Sequence, residues 1–182
     1  MNDLADPQLD RLRRSAVRIR TTARLLAWLI PPAVMGYWAV AGTGGFALPQ
    51  GLVGNLAGAL TPLQRTLGAA ASLLAIVPAF LALLALARIC NEYAAGNLFS
   101  PAVLRHYRRL GWALLATTVL HWLQSTLVGL AISLTLPLGH RFLTISVSSD
   151  DLLLLLATAV VFLLGAVMGV AHGIQQENAA IV

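Results

Sequence analysis

Four long apolar segments constrain the fold of this chain more than any other feature of its sequence. They cover residues 25–46, 67–87, 110–136 and 152–171. A helix rises 1.5 Å per residue, so about 20 apolar residues cross roughly 30 Å of hydrocarbon. Because 58% of the residues are hydrophobic and only 10% are charged, we predict an all-α integral membrane protein with four transmembrane helices in one bundle.

The chain divides into a short N-terminal segment and a single membrane domain. Residues 25–182 hold the four spans and their loops, and residues 1–24 hold six arginines. Between residues 9 and 23 the apolar side chains recur every three or four positions, with arginines over the remaining surface. This pattern predicts a basic amphipathic helix along the cytoplasmic membrane surface. We favour a topology anchor over a dedicated arm for binding another protein.

The distribution of arginines predicts the membrane orientation. Six precede the first span and four flank the second loop, whereas the first and third loops have one each. By the positive-inside rule, the N-terminus, the central loop and the C-terminus are cytoplasmic, which indicates a multi-pass protein of a bacterial inner membrane. The net charge of +5 then reflects topology and attraction to anionic headgroups of the lipid bilayer, and we predict no nucleic-acid partner.

A cleaved signal peptide is the less favoured alternative for the first span. Ala39, Val40 and Ala41 follow the apolar run and are similar to a cleavage site made of small residues. The residues before the run are too many and too mixed in charge for a typical signal peptide, so we keep the first helix. We expect Tyr37 and Trp38 to belong to an aromatic belt at the outer interface.

Two external loops have predicted local structure. A short interfacial helix is expected near residues 52–60, and the alternation within residues 140–149 predicts a short extended segment. Asp150 and Asp151 follow as acids of the first turn of the fourth helix, where they interact favourably with the helix dipole.

The segment from residue 88 to residue 115 is the strongly polar break between apolar runs. Gly96 is a helix-terminating residue, and Ser100 followed by Pro101 is the pattern of a new helix start. On the cytoplasmic turns of that helix we place Arg105, Arg108 and Arg109 on one side. We interpret them as a collar facing lipid headgroups, with a docking surface for a cytoplasmic protein partner as the alternative.

This polar break resembles a known family. The segment AGNLFSPAVLRHYRRLGWALL is similar to the signature of bacterial membrane proteins grouped as domain of unknown function 2975, and the closing GVAHGIQQENAAIV is similar to the family's C-terminal pattern. The matching positions are Gly96, Phe99, Ser100, Arg108, Arg109, Leu110, Gly111, Gly173, Glu177 and Asn178. His172 departs from the charged residue expected at its position. The resemblance implies four spans and no established activity, and the frequent occurrence of members beside a small helix-turn-helix regulator implies a signalling partnership.

One polar face of the third span is a candidate intramembrane site. His121 lies roughly 17 Å from Leu110, close to the bilayer midplane, and Thr117 and Gln124 share its helix face. An ionisable residue at that depth is a functional-site hypothesis. We favour a neutral histidine that hydrogen-bonds Thr117, Gln124 or another helix over a proton or ligand site.

Nothing in the sequence indicates catalysis. The four histidines lie at different depths, and the motifs of zinc proteases and serine hydrolases are missing. We therefore predict a protein that is not an enzyme and that uses no metal and no cofactor. Cys90 stands alone and is interpreted as a packed thiol.

Gly165, Gly169 and Gly173 are spaced by four on the fourth helix, which predicts a close helix-packing face. Packing within the bundle is favoured, with a homodimer as the alternative. Two functions stay open. The favoured one is a regulatory or sensory accessory acting through protein partners, and the alternative is a small transporter or channel that uses the face around His121.

Overall fold

The protein consists of helices throughout the part of the chain that the structure describes. The computed structural model describes residues 7–41, 60–98, 100–133 and 149–180. Its helices are α1 (Pro7–Val40), α2 (Pro62–Ala94), α3 (Pro101–Ser133) and α4 (Ser149–Ala180). Three of them contain stretches long and apolar enough to cross a membrane, namely Asp10–Val40, Pro62–Ala94 and Ser149–Ile174. The predicted all-helical membrane protein with four helices is confirmed.

The helix α3 is not among the three stretches identified as long and apolar enough to cross a membrane in the part of the chain that the structure describes. It has 33 residues, which is ample for a span, and its central turns carry the polar residues Thr117, Thr118, His121 and Gln124. That α3 crosses the membrane therefore stays a prediction.

The ends of α2 and the start of α3 follow directly from local sequence. The Thr61 side chain accepts a hydrogen bond from the Gln64 amide, and the Gln64 side chain accepts one from the Thr61 amide, which is a complete capping box. After Ala94 the chain turns at Gly96, whose φ of +85° favours glycine. The Ser100 hydroxyl then accepts a hydrogen bond from the Val103 amide. The predicted helix stop and helix start are both confirmed.

The basic N-terminal segment is part of α1 and does not form a separate helix along the membrane. The helix runs without interruption over 34 residues, which is about 51 Å and longer than the hydrocarbon layer. Ala16 and Ala23 are buried on this stretch, and the Arg20 guanidinium donates to the Asn91 side chain at 2.9 Å. The first turns of α1 therefore lie against the polar end of α2, because small residues allow the two helices to approach closely.

The helices pack in chain order. Within the described residues α2 lies between α1 and α3, whereas α4 approaches only α3, and no Cα atoms of α1 and α4 come within 8 Å of each other. One cluster of buried side chains joins α1, α2 and α3 around Trp38 and Val128. A second joins α2 and α3 around Ile89 and Leu110, with Val161 of α4 packed against it. The predicted single bundle is thus open on the side of α4.

Trp38 lies in the helix packing and not in an aromatic belt. Its side chain is 3% exposed, and its indole N–H donates to the Ser72 hydroxyl at 3.0 Å. A Cβ atom on Gly68 would lie only 2.3 Å from the Trp38 ring. The missing side chain at Gly68 opens the space for the ring, and Ser72 satisfies its single donor. The Trp38 ring therefore packs between helices, and its predicted depth at the outer interface stays a prediction.

The predicted loop structures fall mostly outside the described residues. These include residues 52–59 of the predicted interfacial helix and residues 140–148 of the predicted extended segment, whereas Leu60 is described and is not helical. Ser149, the last residue of that segment, begins α4, and Asp150 and Asp151 lie in its first turn as expected.

Candidate functional site

The central polar feature is a contact between α3 and α4. His121 Nδ1 lies 2.5 Å from Asp151 Oδ1, and the two groups form an ion pair when the imidazole is protonated. The Asp151 side chain is 3% exposed, whereas that of His121 is 49% exposed. A carboxylate this well buried requires partners, because an isolated charge in an apolar setting is costly. Sequence reasoning missed the pair, since Asp151 was interpreted only as a first-turn acid.

The pair lies at the level of the middle of α2. On α3, His121 falls between Leu110 and Val128. Leu110 packs in one cluster with Ala85 and Ile89 of α2, and Val128 packs in the other cluster with Ala69. His121 is therefore level with the centre of the longest apolar run of α2, whereas Asp151 immediately precedes the apolar run of α4, so these two runs are offset along the helix axes.

The other members of the predicted polar face have different partners. The Thr117 hydroxyl donates to the Ala113 carbonyl at 2.7 Å, four residues earlier on the same helix. Thr118 is buried and donates in the same way to Leu114. Gln124 lies one turn further along α3 and is partly buried. The partner that the structure brings to His121 is thus a carboxylate of another helix and not Thr117.

Glycines set the close approach of α3 and α4. A Cβ atom on Gly111 would lie 2.7 Å from the Phe162 ring. The Phe162 side chain of α4 therefore packs directly against the backbone of α3 at this glycine. The same ring stacks edge-on against Trp112 with 5.8 Å between centroids. Gly111, one of the positions that match the family motif, therefore has a packing role here.

The predicted packing glycines of α4 divide into two groups. Built Cβ atoms on Gly165 and Gly169 would lie 3.4 Å from Tyr107 and 3.9 Å from Leu104, both on α3. A Cβ atom on Gly173 would meet nothing within 4 Å. The first two glycines thus face α3 of the same chain, and a homodimer through this face stays a prediction.

The predicted arginine surface borders a groove between α2 and α3. Arg105, Arg108 and Arg109 of α3 lie around it together with Arg88 of α2, and the groove encloses about 680 Å³. Its remaining wall is apolar and is formed by Pro78, Leu81, Leu84, Ala85, Trp112, Ala113 and Ala116. Sequence reasoning missed Arg88 and the apolar wall, although the spacing of Arg105, Arg109, Trp112 and Ala116 on one helix face could have indicated part of it.

The positive charges at this groove have no acidic counterpart nearby. Within the described residues none of the four arginines has a carboxylate within 4.0 Å. Glu92, the nearest acid in the sequence, accepts a hydrogen bond from the Asn97 side chain at 3.2 Å. Burial lowers the pKa of His106 below 6.5, and Arg109 and Arg88 lower it further, whereas Glu92 raises it. The end of α3 that holds the arginines is therefore a site of positive potential.

Metal ligation has no candidate cluster in the described ranges. Over residues 7–41, 60–98, 100–133 and 149–180 there is no group of three or more His, Cys, Asp or Glu residues that could hold a metal ion. The single cysteine, Cys90, is buried, and it lies in the polar end of α2 close to the Arg20–Asn91 hydrogen bond.

Comparisons with known proteins support one assignment. No curated protein and no solved structure is similar enough to the chain to count as a match. The family model described as protein of unknown function (DUF2975) matches residues 26–182. This range includes the polar turn at Gly96, the packing of Phe162 against Gly111 and the His121–Asp151 contact. The chain belongs to the DUF2975 family, as its two sequence motifs predicted.

Proposed function

We propose that this protein is a regulatory or sensory accessory of the bacterial inner membrane that has no catalytic activity and acts through protein partners. In this proposal all four helices cross the membrane, and both termini and the arginine-lined end of α3 face the cytoplasm. The arginine distribution supports this orientation through the positive-inside rule.

A membrane-crossing α3 is supported by its neighbours and by the way its polar groups are satisfied. It packs between α2 and α4, and each of these two helices is apolar enough to span a bilayer. The hydroxyls of Thr117 and Thr118 donate to carbonyls of α3 itself, and His121 contacts Asp151. Satisfied polar groups greatly reduce the cost of placing such a helix in lipid.

The observation that carries the sensory role is the His121–Asp151 contact. It is an ionisable link at one end of the α3–α4 interface, and α4 approaches no other helix within the described residues. Making or breaking this contact changes how α4 is held against α3, so α4 can take two positions relative to the other helices. Such a helix can transmit a change at the contact to a partner.

The test compares two neighbouring acids with different surroundings. Asp151→Asn removes the charge of the buried carboxylate, and Asp150→Asn makes the same chemical change at an exposed position of the same turn. We expect Asp151→Asn and His121→Gln to alter which proteins co-purify from native membranes, with normal levels of inserted protein. Asp150→Asn should behave like wild type. An unchanged set of co-purified proteins in all three variants would contradict the sensory role.

The second candidate is a small transporter or channel, and the same pair favours it. An ionisable group deep among apolar spans commonly marks an ion or proton pathway. If this function holds, proteoliposomes will show proton or cation flux that Asp151→Asn abolishes and Asp150→Asn retains. An accessory protein instead gives no flux above empty liposomes, so the two experiments together separate the candidates.

A further inference from the structure

The groove between α2 and α3 has two chemically different ends. Arg88 of α2 and Arg105, Arg108 and Arg109 of α3 lie at one end. From Arg88 the wall runs along α2 through Leu84 and Leu81 to Pro78, a length of about 15 Å at the rise of a helix. A ligand that fills both ends must combine an anionic head with an extended apolar chain.

We propose that this groove binds one anionic phospholipid of the cytoplasmic leaflet, with its phosphate among the four arginines and an acyl chain along the apolar wall. Guanidinium groups bind phosphate oxygens through paired, charge-assisted hydrogen bonds. Because none of these arginines has a carboxylate within 4.0 Å in the described part of the chain, their charge is available to a ligand.

The apolar wall favours a lipid over a soluble anion or an acidic protein segment. Trp112 is 61% exposed and Leu81 is 52% exposed, so the wall presents apolar surface that an acyl chain covers. A free phosphate or an acidic peptide would engage the arginines and leave this surface bare. In addition, no Cα atom of α1 approaches α3 within 8 Å in the described residues, so α1 leaves the groove accessible.

The site requires the proposed membrane orientation but not the regulatory role. Loss of the lipid site would leave the His121–Asp151 contact unchanged, because His121 lies about 18 Å further along α3 than Arg109. A negative lipid experiment would therefore contradict only the lipid site, and an unchanged set of co-purified partners would contradict only the regulatory role.

Fluorescence quenching tests the site directly, since Trp112 lies in its wall. The full chain is reconstituted in phosphatidylcholine vesicles that contain either phosphatidylglycerol or additional phosphatidylcholine, with the bromine on the acyl chains. The signal of Trp112 is the difference between wild type and Trp112→Phe. We expect brominated phosphatidylglycerol to quench this signal at a mole fraction roughly tenfold lower than brominated phosphatidylcholine. Equal quenching by both lipids would overturn the proposal.

Matched arginine variants separate a built site from general surface charge. Arg88→Gln with Arg109→Gln removes two groove arginines, and Arg18→Gln with Arg24→Gln removes the same charge from exposed positions of α1. The groove variant should lose the preference for phosphatidylglycerol, and the α1 variant should keep it. Equal loss in both variants would mean only diffuse attraction and would overturn the proposal.

A third variant addresses the acyl chain and keeps every arginine. Ala116→Leu adds bulk to the apolar wall, and it should weaken quenching by phosphatidylglycerol at least about tenfold while the arginines still attract anions. If the preference for phosphatidylglycerol survives Ala116→Leu, the arginines bind only its headgroup, and the proposed lipid site is wrong. Thermal unfolding of each variant confirms that it is folded.

Discussion

The helices α2 and α4 are both apolar, yet they are placed very differently. In the most apolar stretch of α2, 28% of the residues are buried, whereas only 6% of the residues are buried in the most apolar stretch of α4. On α2 most of the buried residues are small, and they include Ala69, Ala75, Ala82 and Ala85. On α4 a row of large side chains is exposed, and includes Leu152, Leu156, Leu163, Val167 and Val170.

This difference shows which helix holds the fold together. Small residues let α2 take a neighbour on each side, since they allow close backbone approach. The large side chains of α4 suit contact with lipid, and its contacts with α3 include glycines, Val161, Phe162 and the His121–Asp151 pair. Hence α2 is the structural centre, and α4 is the helix with the fewest restraints.

The largest loss in the free energy of unfolding is expected from a substitution between α1 and α2. Gly68→Val places side-chain atoms inside the volume of the Trp38 ring, which is within 2.3 Å of the built Cβ position. Because Trp38 is buried on all sides, we expect a loss of about 3 kcal/mol or more in the free energy of unfolding. Gly36→Val is the control, since a Cβ atom there meets nothing within 4 Å. Equal stability of the two variants in a denaturant titration would contradict the close packing of the Trp38 ring against Gly68.

A smaller loss in the free energy of unfolding is expected where Gly111 of α3 contacts Phe162 of α4. Gly111→Val conflicts with the Phe162 ring, but this ring is 37% exposed and can shift together with α4. We expect a loss of about 1–2 kcal/mol and a longer distance between spin labels on α3 and α4. Gly173→Val should leave both quantities near wild type. An unchanged distance in Gly111→Val would show that α4 is held more firmly than the packing indicates.

The tyrosine pair between α2 and α3 is a third point of comparison. The hydroxyls of Tyr93 and Tyr107 lie 3.0 Å apart and are partly buried. Tyr107→Phe removes this hydrogen bond and should lower the free energy of unfolding by about 1 kcal/mol. A double-mutant cycle with Tyr93→Phe isolates the interaction, and a coupling energy near zero would show that water replaces the bond without loss.

The smallest effect concerns pH and the arginine-lined end of α3. Burial disfavours the charged form of His106, and the nearby Arg109 and Arg88 disfavour it further, so its pKa is lowered from 6.5 in the folded state. The unfolded state therefore binds the proton more readily. The stability that neutral His106 contributes is present above the unfolded pKa and is lost as the pH falls below it.

We expect wild type to lose more thermal stability than His106→Gln when the pH falls from about 8 to about 5. Parallel pH profiles for the two proteins would show that His106 does not titrate differently on folding. Anionic lipid in the groove should reduce the difference, since a phosphate offsets the repulsion between the arginines and the protonated imidazole.

Local sequence signals predicted the four helices and the turn between α2 and α3. The helices follow from apolar length, and the turn at Gly96 and the start at Ser100 and Pro101 follow from conformational preferences of single residues. The family assignment rested on the same short motif. In contrast, the partners of Trp38 and Asp151 were not predicted, because they are distant in the chain: Ser72 and Gly68 for Trp38, and His121 for Asp151. No local pattern contains that information.

The sequence by itself determined that the chain is a helical membrane protein of the DUF2975 family, because hydrophobic length and turn chemistry act over a few residues. Only the tertiary structure decided that α4 packs on α3 alone, that a carboxylate meets His121, and that Arg88 joins the arginines of α3 around one groove. These features depend on the register between helices. That register is set by where glycines admit rings and where polar groups find partners across the interface.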